Sequence, residues 1–91
     1  MQKYTWGNTL TNKAVLIRCE NLSDEYLWEF LQPEEYLRDL IGSDQFDHWL
    51  HTGGGFTLED EPDPVPRYHR ISVWAHHHRE RDITWLALNM R

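Results

Sequence analysis

Between Ser23 and His51 the chain repeats one short amphipathic pattern three times and interrupts it twice. These interruptions constrain the fold more than any other feature. Leu27/Phe30/Leu31, Leu37/Leu40/Ile41 and Phe46/Trp49/Leu50 each show the i, i+3, i+4 spacing of one helix face. Ser23 suits the cap of the first block, with Asp24 and Glu25 in its opening turn. Pro33 suits the first position of the second block, but its ring would clash with the carbonyl of Glu29 in a continuous helix. Gly42 closes the second block, and Ser43 with Asp44 opens the third. Each block falls short of the ~12–15 residues that an isolated helix needs in water. The triplets must therefore be buried against another layer.

The flanking segments supply a sheet for that purpose. Gln2 to Trp6 alternates polar and aromatic residues, and Ala14 to Cys19 is an apolar run rich in β-branched residues. Both read as strands, joined through Gly7-Asn8 as a hairpin. The Gly53-Gly54-Gly55 run reads as a flexible helix exit, and the acidic, proline-rich stretch to Pro66 as an exposed loop. From Tyr68 the period is two, with Ile71, Val73 and Ala75 on one face and Tyr68, Arg70, Ser72, Trp74 and His76 on the other. Arg79 to Asp82 reads as a turn and Ile83 to Met90 as a last strand. The expected fold is α+β in one domain over residues 1–91. An antiparallel sheet of about four short strands, in the order β-β-α-α-α-β-β, is covered on one face by three short helices. The expected segments are N-terminal strands at 1–19, an acidic helical layer at 23–52, an acidic loop at 53–66 and a C-terminal hairpin at 67–91.

Charge is distributed along this plan very unevenly. Residues 1–19 carry Lys3, Lys13 and Arg18 and no acid, whereas residues 20–63 carry thirteen acids against Arg38 alone. Residues 64–91 return to a surplus of base, with five arginines against Glu80 and Asp82. The net charge of −6 argues against a general nucleic-acid or anionic-membrane binder. No apolar run approaches the ~20 residues of a membrane span, and no signal-peptide core opens the chain. With Cys19 as the lone cysteine, an internal disulfide is impossible. A cytoplasmic protein without cofactors is the expectation.

Enzymatic motifs are sparse. His48 and His51 form an i, i+3 pair, and His76-His77-His78 follow, so a histidine metal site is one alternative. Zinc needs three or four convergent ligands, however, and neighbouring histidines on a strand point to opposite faces. Cys19 sits in an apolar strand, where a thiol is ordinarily inert, and the triple glycine lacks the Lys and Ser/Thr of a phosphate loop. A second alternative is single-strand nucleic-acid binding, through aromatic stacking and charge on the Arg70/Trp74 face.

The acidic backs of the helical blocks point elsewhere. At 100° per residue Glu25 and Glu29, Glu35 and Asp39, and Asp44 and His48 fall opposite the three apolar triplets. Pairs of acids at i, i+4 destabilise a helix by a few tenths of a kcal/mol, so solubility alone does not favour them over interspersed lysines. A basic partner does. Along a helix such carboxylates repeat about every 6 Å, against about 3.4 Å for the phosphates of one DNA strand, which suits a partial mimic. In size, acidity and aromatic content the chain resembles small inhibitor-type proteins, such as immunity proteins, antitoxins and phage-encoded antagonists of nucleic-acid enzymes. The resemblance implies a non-enzymatic binder that blocks a basic, nucleic-acid-handling surface of a partner protein. Glu25, Glu29, Glu35, Asp39 and Asp44 would match its cations, with Tyr26 and Tyr36 as anchors.

Overall fold

The computed structural model describes residues 2–11, 13–25 and 32–89. Its elements are β1 (Gln2–Gly7), β2 (Lys13–Ser23), α1 (Pro33–Ile41), α2 (Ser43–His51), β3 (Gly55–Pro62), β4 (Tyr68–His77) and α3 (Glu80–Asn89). All four strands join one antiparallel sheet in the spatial order β1-β3-β4-β2. The α+β class holds, and the order among the described residues is β-β-α-α-β-β-α.

Several expected elements are corrected. β1 and β2 form no hairpin; they lie at opposite edges of the sheet, separated by β3 and β4. Most of the expected acidic loop is β3, a central strand. Its acids and terminal Pro62 hide the alternation of Phe56, Leu58 and Asp60, whose side chains share the buried face. Besides Gly53 and Gly54, the turn from Asp63 to Arg67 lies outside the strands, held by Asp63, whose carboxylate accepts the Val65 N–H at 2.9 Å. The expected final strand is the helix α3, with Ile83 and Leu86 buried at helical spacing. Short apolar runs satisfy both periods, and here tertiary packing selected the helix. Ser23 is the last residue of β2, opposite Tyr68, rather than a helix cap. The rest of that first helical block (Tyr26, Leu27, Trp28, Glu29, Phe30 and Leu31) lies outside the described residues.

α1 and α2 match their sequence signals residue by residue. Pro33 opens α1, and Gly42 at φ +97° forms a one-residue corner to α2. Gly42 closes one helix by donating its N–H to Arg38 O at 2.8 Å and opens the next by accepting from Phe46 N–H at 2.9 Å. α2 ends in a Schellman arrangement, in which Gly53 N–H reaches Leu50 O and Gly54 N–H reaches Trp49 O.

Register brings Tyr4, Leu58 and Val73 into one row of the sheet and Trp6, Phe56 and Ala75 into the next. Against these rows pack Leu37 and Ile41 of α1, Phe46 and Trp49 of α2, and Ile83 and Leu86 of α3. Phe46 stacks on Phe56 at 5.4 Å between ring centroids, and Trp49 tilts against Phe56 at 5.9 Å. Full burial of each such side chain contributes about 1.5–3 kcal/mol, which compensates for the brevity of the helices.

Candidate binding surface

Most acids of the central stretch have a partner within the fold. Arg38, the one base of that stretch, holds Glu34 at 3.3 Å, Asp47 at 2.8 Å and the Ser43 hydroxyl at 2.6 Å. Its guanidinium also lies 4.6 Å from the centroid of the Phe46 ring. It brackets the Gly42 corner. Asp47 is held below the usual carboxylate range by its hydrogen bond from Arg38, and Arg38 is raised by the same bond.

Asp60 and Asp24 are taken by His69. Its Nδ1 lies 2.6 Å from Asp60 Oδ1, and its Nε2 hydrogen-bonds Asp24 Oδ1. Two carboxylates on the two ring nitrogens suit the doubly protonated imidazolium. Burial works against that charge, but the bonds to Asp60 and Asp24 prevail and raise the pKa. Glu20 accepts the Tyr36 hydroxyl, Glu61 pairs with Arg70 at 3.4 Å, and Asp63 accepts from Asn21 at 2.6 Å. Glu59 stands opposite Lys3 in the β1–β3 register.

Four of the described acids remain: Glu25, Glu35, Asp39 and Asp44. All four are exposed, and no hydrogen bond or ion pair to a described residue engages them. Glu35 and Asp39 lie one turn apart on the outer side of α1, with Leu37 and Ile41 buried behind them. Asp44 follows past the corner in the first turn of α2. Arg38, Asp39, Gly42, Ser43, Asp44 and Gln45 line a depression there, and the buried Gln45 Oε1 has no hydrogen-bond partner among the described residues. With Arg38 committed inward, acceptors dominate the corner.

Other expected contributors are placed differently. Glu25 lies in the turn after β2 rather than on a helix, beside a groove lined by Asp24, Arg67 and Tyr68. Tyr36 is half-buried against the core, and burial together with its bond to Glu20 raises its pKa well above the ordinary phenol value. Its ring therefore belongs largely to the fold. Glu29 and Tyr26 lie outside the described residues.

The histidines do not converge. His48 and His51 are both exposed, and among the described residues no three His, Cys, Asp or Glu side chains form a group that could hold a metal ion. His77 is buried against Trp49 with ring centroids 4.8 Å apart, and its Nδ1 accepts the Arg79 backbone N–H at 3.2 Å. His76 lies 2.7 Å from the Thr57 hydroxyl, and burial, helped by the charge of Lys3, lowers its pKa. On the sheet face carrying Trp74, Arg70 is tied to Glu61 and Lys3 faces Glu59, so local charge is balanced. Among the described residues no helix is long and apolar enough to cross a membrane. Sequence reasoning missed His69, because its two carboxylates lie nine and forty-five residues away. The role of Arg38 was legible in part, through Glu34 one turn earlier. No protein-family model, curated protein or solved structure matches the chain.

Proposed function

We propose that the chain is a non-enzymatic, inhibitor-type binding protein whose acidic outer surface at α1 and α2 occupies a basic, nucleic-acid-handling surface of a partner protein. One observation carries this reading. Hydrogen bonds or ion pairs engage Glu20, Asp24, Glu34, Asp47, Asp60, Glu61 and Asp63, and Glu59 stands opposite Lys3, whereas Glu25, Glu35, Asp39 and Asp44 project without a described partner. Uncompensated, exposed carboxylates are matched by lysine and arginine, which bring only donors. Carboxylates at one-turn spacing match alternate phosphates at best, so the surface would block a basic groove locally rather than imitate a duplex.

The test is a variant carrying Glu25→Lys, Glu35→Gln, Asp39→Lys and Asp44→Asn. Neutral amides are used at positions 35 and 44 because a cation in the first turn of α1 or α2 would oppose the helix dipole. Partners captured by the tagged wild-type chain should be lost by this variant while the circular dichroism spectrum stays unchanged, and added DNA should displace them from the wild type. Equal capture by a folded variant would refute the proposal.

A further inference from the structure

His69 joins three segments that meet at one end of the sheet. It stands in β4, opposite Leu22 of β2 and Pro62 of β3, and two residues before the buried Ile71 on the same face. Its Nδ1 lies 2.6 Å from Asp60 Oδ1 on β3, and its Nε2 is hydrogen-bonded to Asp24 Oδ1 in the turn that follows β2. Only the imidazolium can donate to both carboxylates, because it carries an N–H on each nitrogen, whereas the neutral ring carries one. Loss of one proton must therefore break one of the two contacts.

The two carboxylates differ in their access to water, and this decides which contact breaks. The side chain of Asp60 is 8% exposed, that of Asp24 53%. A lone pair turned from Nδ1 toward Asp60 would set an acceptor against a buried anion, with little water to replace the donor. At Asp24 water replaces it readily. The remaining proton therefore stays on Nδ1, and the bare Nε2 is left facing the Asp24 carboxylate, acceptor against acceptor. Neighbouring charges do not compete for the ring. Glu61 pairs with Arg70, Glu20 of β2 accepts the Tyr36 hydroxyl of α1, and Asp63 accepts from Asn21 and Val65. Glu25 and Arg67 line a groove with Asp24 and make no described hydrogen bond or ion pair with His69. Burial opposes the charge on the ring, but the two carboxylates raise its pKa, so the change falls above the ordinary imidazole value of about 6.5.

We infer that His69 is a pH-sensitive latch, which holds the Asp24 turn against the sheet while doubly protonated and releases Asp24, but not Asp60, when its Nε2 proton passes to solvent. Past the β2–β4 ladder, the released turn keeps one described backbone bond, from Asp24 N–H to Arg67 O at 2.8 Å. Release also leaves a second free carboxylate beside Glu25, so this end of the molecule becomes more negative as pH rises. The inference does not rest on the proposed partner.

Nitrogen NMR of the full chain across the titration tests this. The His69 ring should pass from the doubly protonated form to the Nδ1–H tautomer, and the order parameters of the Asp24 and Glu25 amides should fall with the same midpoint. Asp24→Ala should leave the turn mobile at every pH and keep the Nδ1–H tautomer. It should also lower the His69 midpoint, the ring binding its second proton about three- to tenfold more weakly. A neutral His69 in the Nε2–H form, order in the turn that is indifferent to pH, or an unmoved midpoint in Asp24→Ala would each overturn the inference. The first two are read on the wild type and do not depend on the folding of the variant.

Discussion

The three glycines that follow α2 look interchangeable in sequence, yet the structure assigns them different tasks, and substitution should separate these. A Cβ on Gly55 would lie 2.3 Å from Asn8 O and 2.7 Å from both Asn8 C and Trp6 O. All three are backbone atoms, and ordinary contact begins near 3.4 Å, so the end of β1 would have to retreat by about 1 Å. It is pinned against doing so, because Gly7 pairs with Gly55 and Asn8 N–H donates to Gly54 O at 3.1 Å. Overpacking costs about 1–3 kcal/mol, and with no flexible side chain to rotate away Gly55→Ala belongs near ~3. Gly53 has nothing within 4 Å of its notional Cβ but sits at φ +94°, so Gly53→Ala should cost only ~1–2 kcal/mol of left-handed strain. At about 4–8 °C per kcal/mol for a domain of this size, Gly55→Ala should melt roughly 12–24 °C below the wild type. Asparagine separates the two mechanisms. It tolerates positive φ, so Gly53→Asn should recover part of the loss, whereas Gly55→Asn should be worse than Gly55→Ala. Thermal melts followed by circular dichroism would give the ranking. If Gly55→Ala is tolerated as well as Gly53→Ala, the steric account of this strand junction is wrong.

Two further substitutions probe the interior and its charge. Phe46→Ala should cost about 3–5 kcal/mol in urea unfolding, because it empties the site between Arg38, Trp6 and Phe56; a loss under ~1 would mean that α2 is not anchored there. The raised pKa of His69 means that the folded state holds its proton more tightly than the unfolded chain. The stability it contributes is fully present below the unfolded value of about 6.5 and is lost as pH rises through the higher folded value. His69→Gln should therefore flatten that alkaline decline, and an unchanged pH profile would count against the bridge between Asp24 and Asp60.

What the sequence made legible was local. Pro33, Gly42 and the two described triplets delimit α1 and α2 because caps and breakers act within one turn. β4 was legible because Ile71, Val73 and Ala75 alternate without interruption. β3 was not, because its third core-facing position is Asp60, whose buried carboxylate is hydrogen-bonded by His69 on the neighbouring strand. α3 was misread because Ile83, Trp85, Leu86 and Leu88 fit a strand as well as a helix, and its contacts with β4 and β2 decide the matter. Strand order depends on pairings between distant residues, for which no local signal exists. The exposed acids Glu35, Asp39 and Asp44 were legible on the wheel, but the inward commitment of Arg38 was only half visible, since Asp47 lies nine residues on, across the corner.

This division of the acids bears on how stability and binding are related. Glu34, Asp47, Asp24 and Asp60 are tied to Arg38 and His69, and their removal would leave a cation without its partner, so they belong to the fold. Glu35 and Asp39 have the opposite character. One turn apart and unpaired, they repel each other by a few tenths of a kcal/mol. Glu35 lies in the first turn, where the helix dipole offsets that repulsion, but Asp39 does not, so neutralising Asp39 should leave stability unchanged or raise it slightly. A surface whose mutation stabilises the protein is not maintained by folding. If Asp39→Asn proves neutral or stabilising while partner capture falls, the cost carried by that helix is attributable to binding. If instead Asp39→Asn destabilises the chain, that carboxylate serves the fold, and the case for a basic partner loses its physical basis.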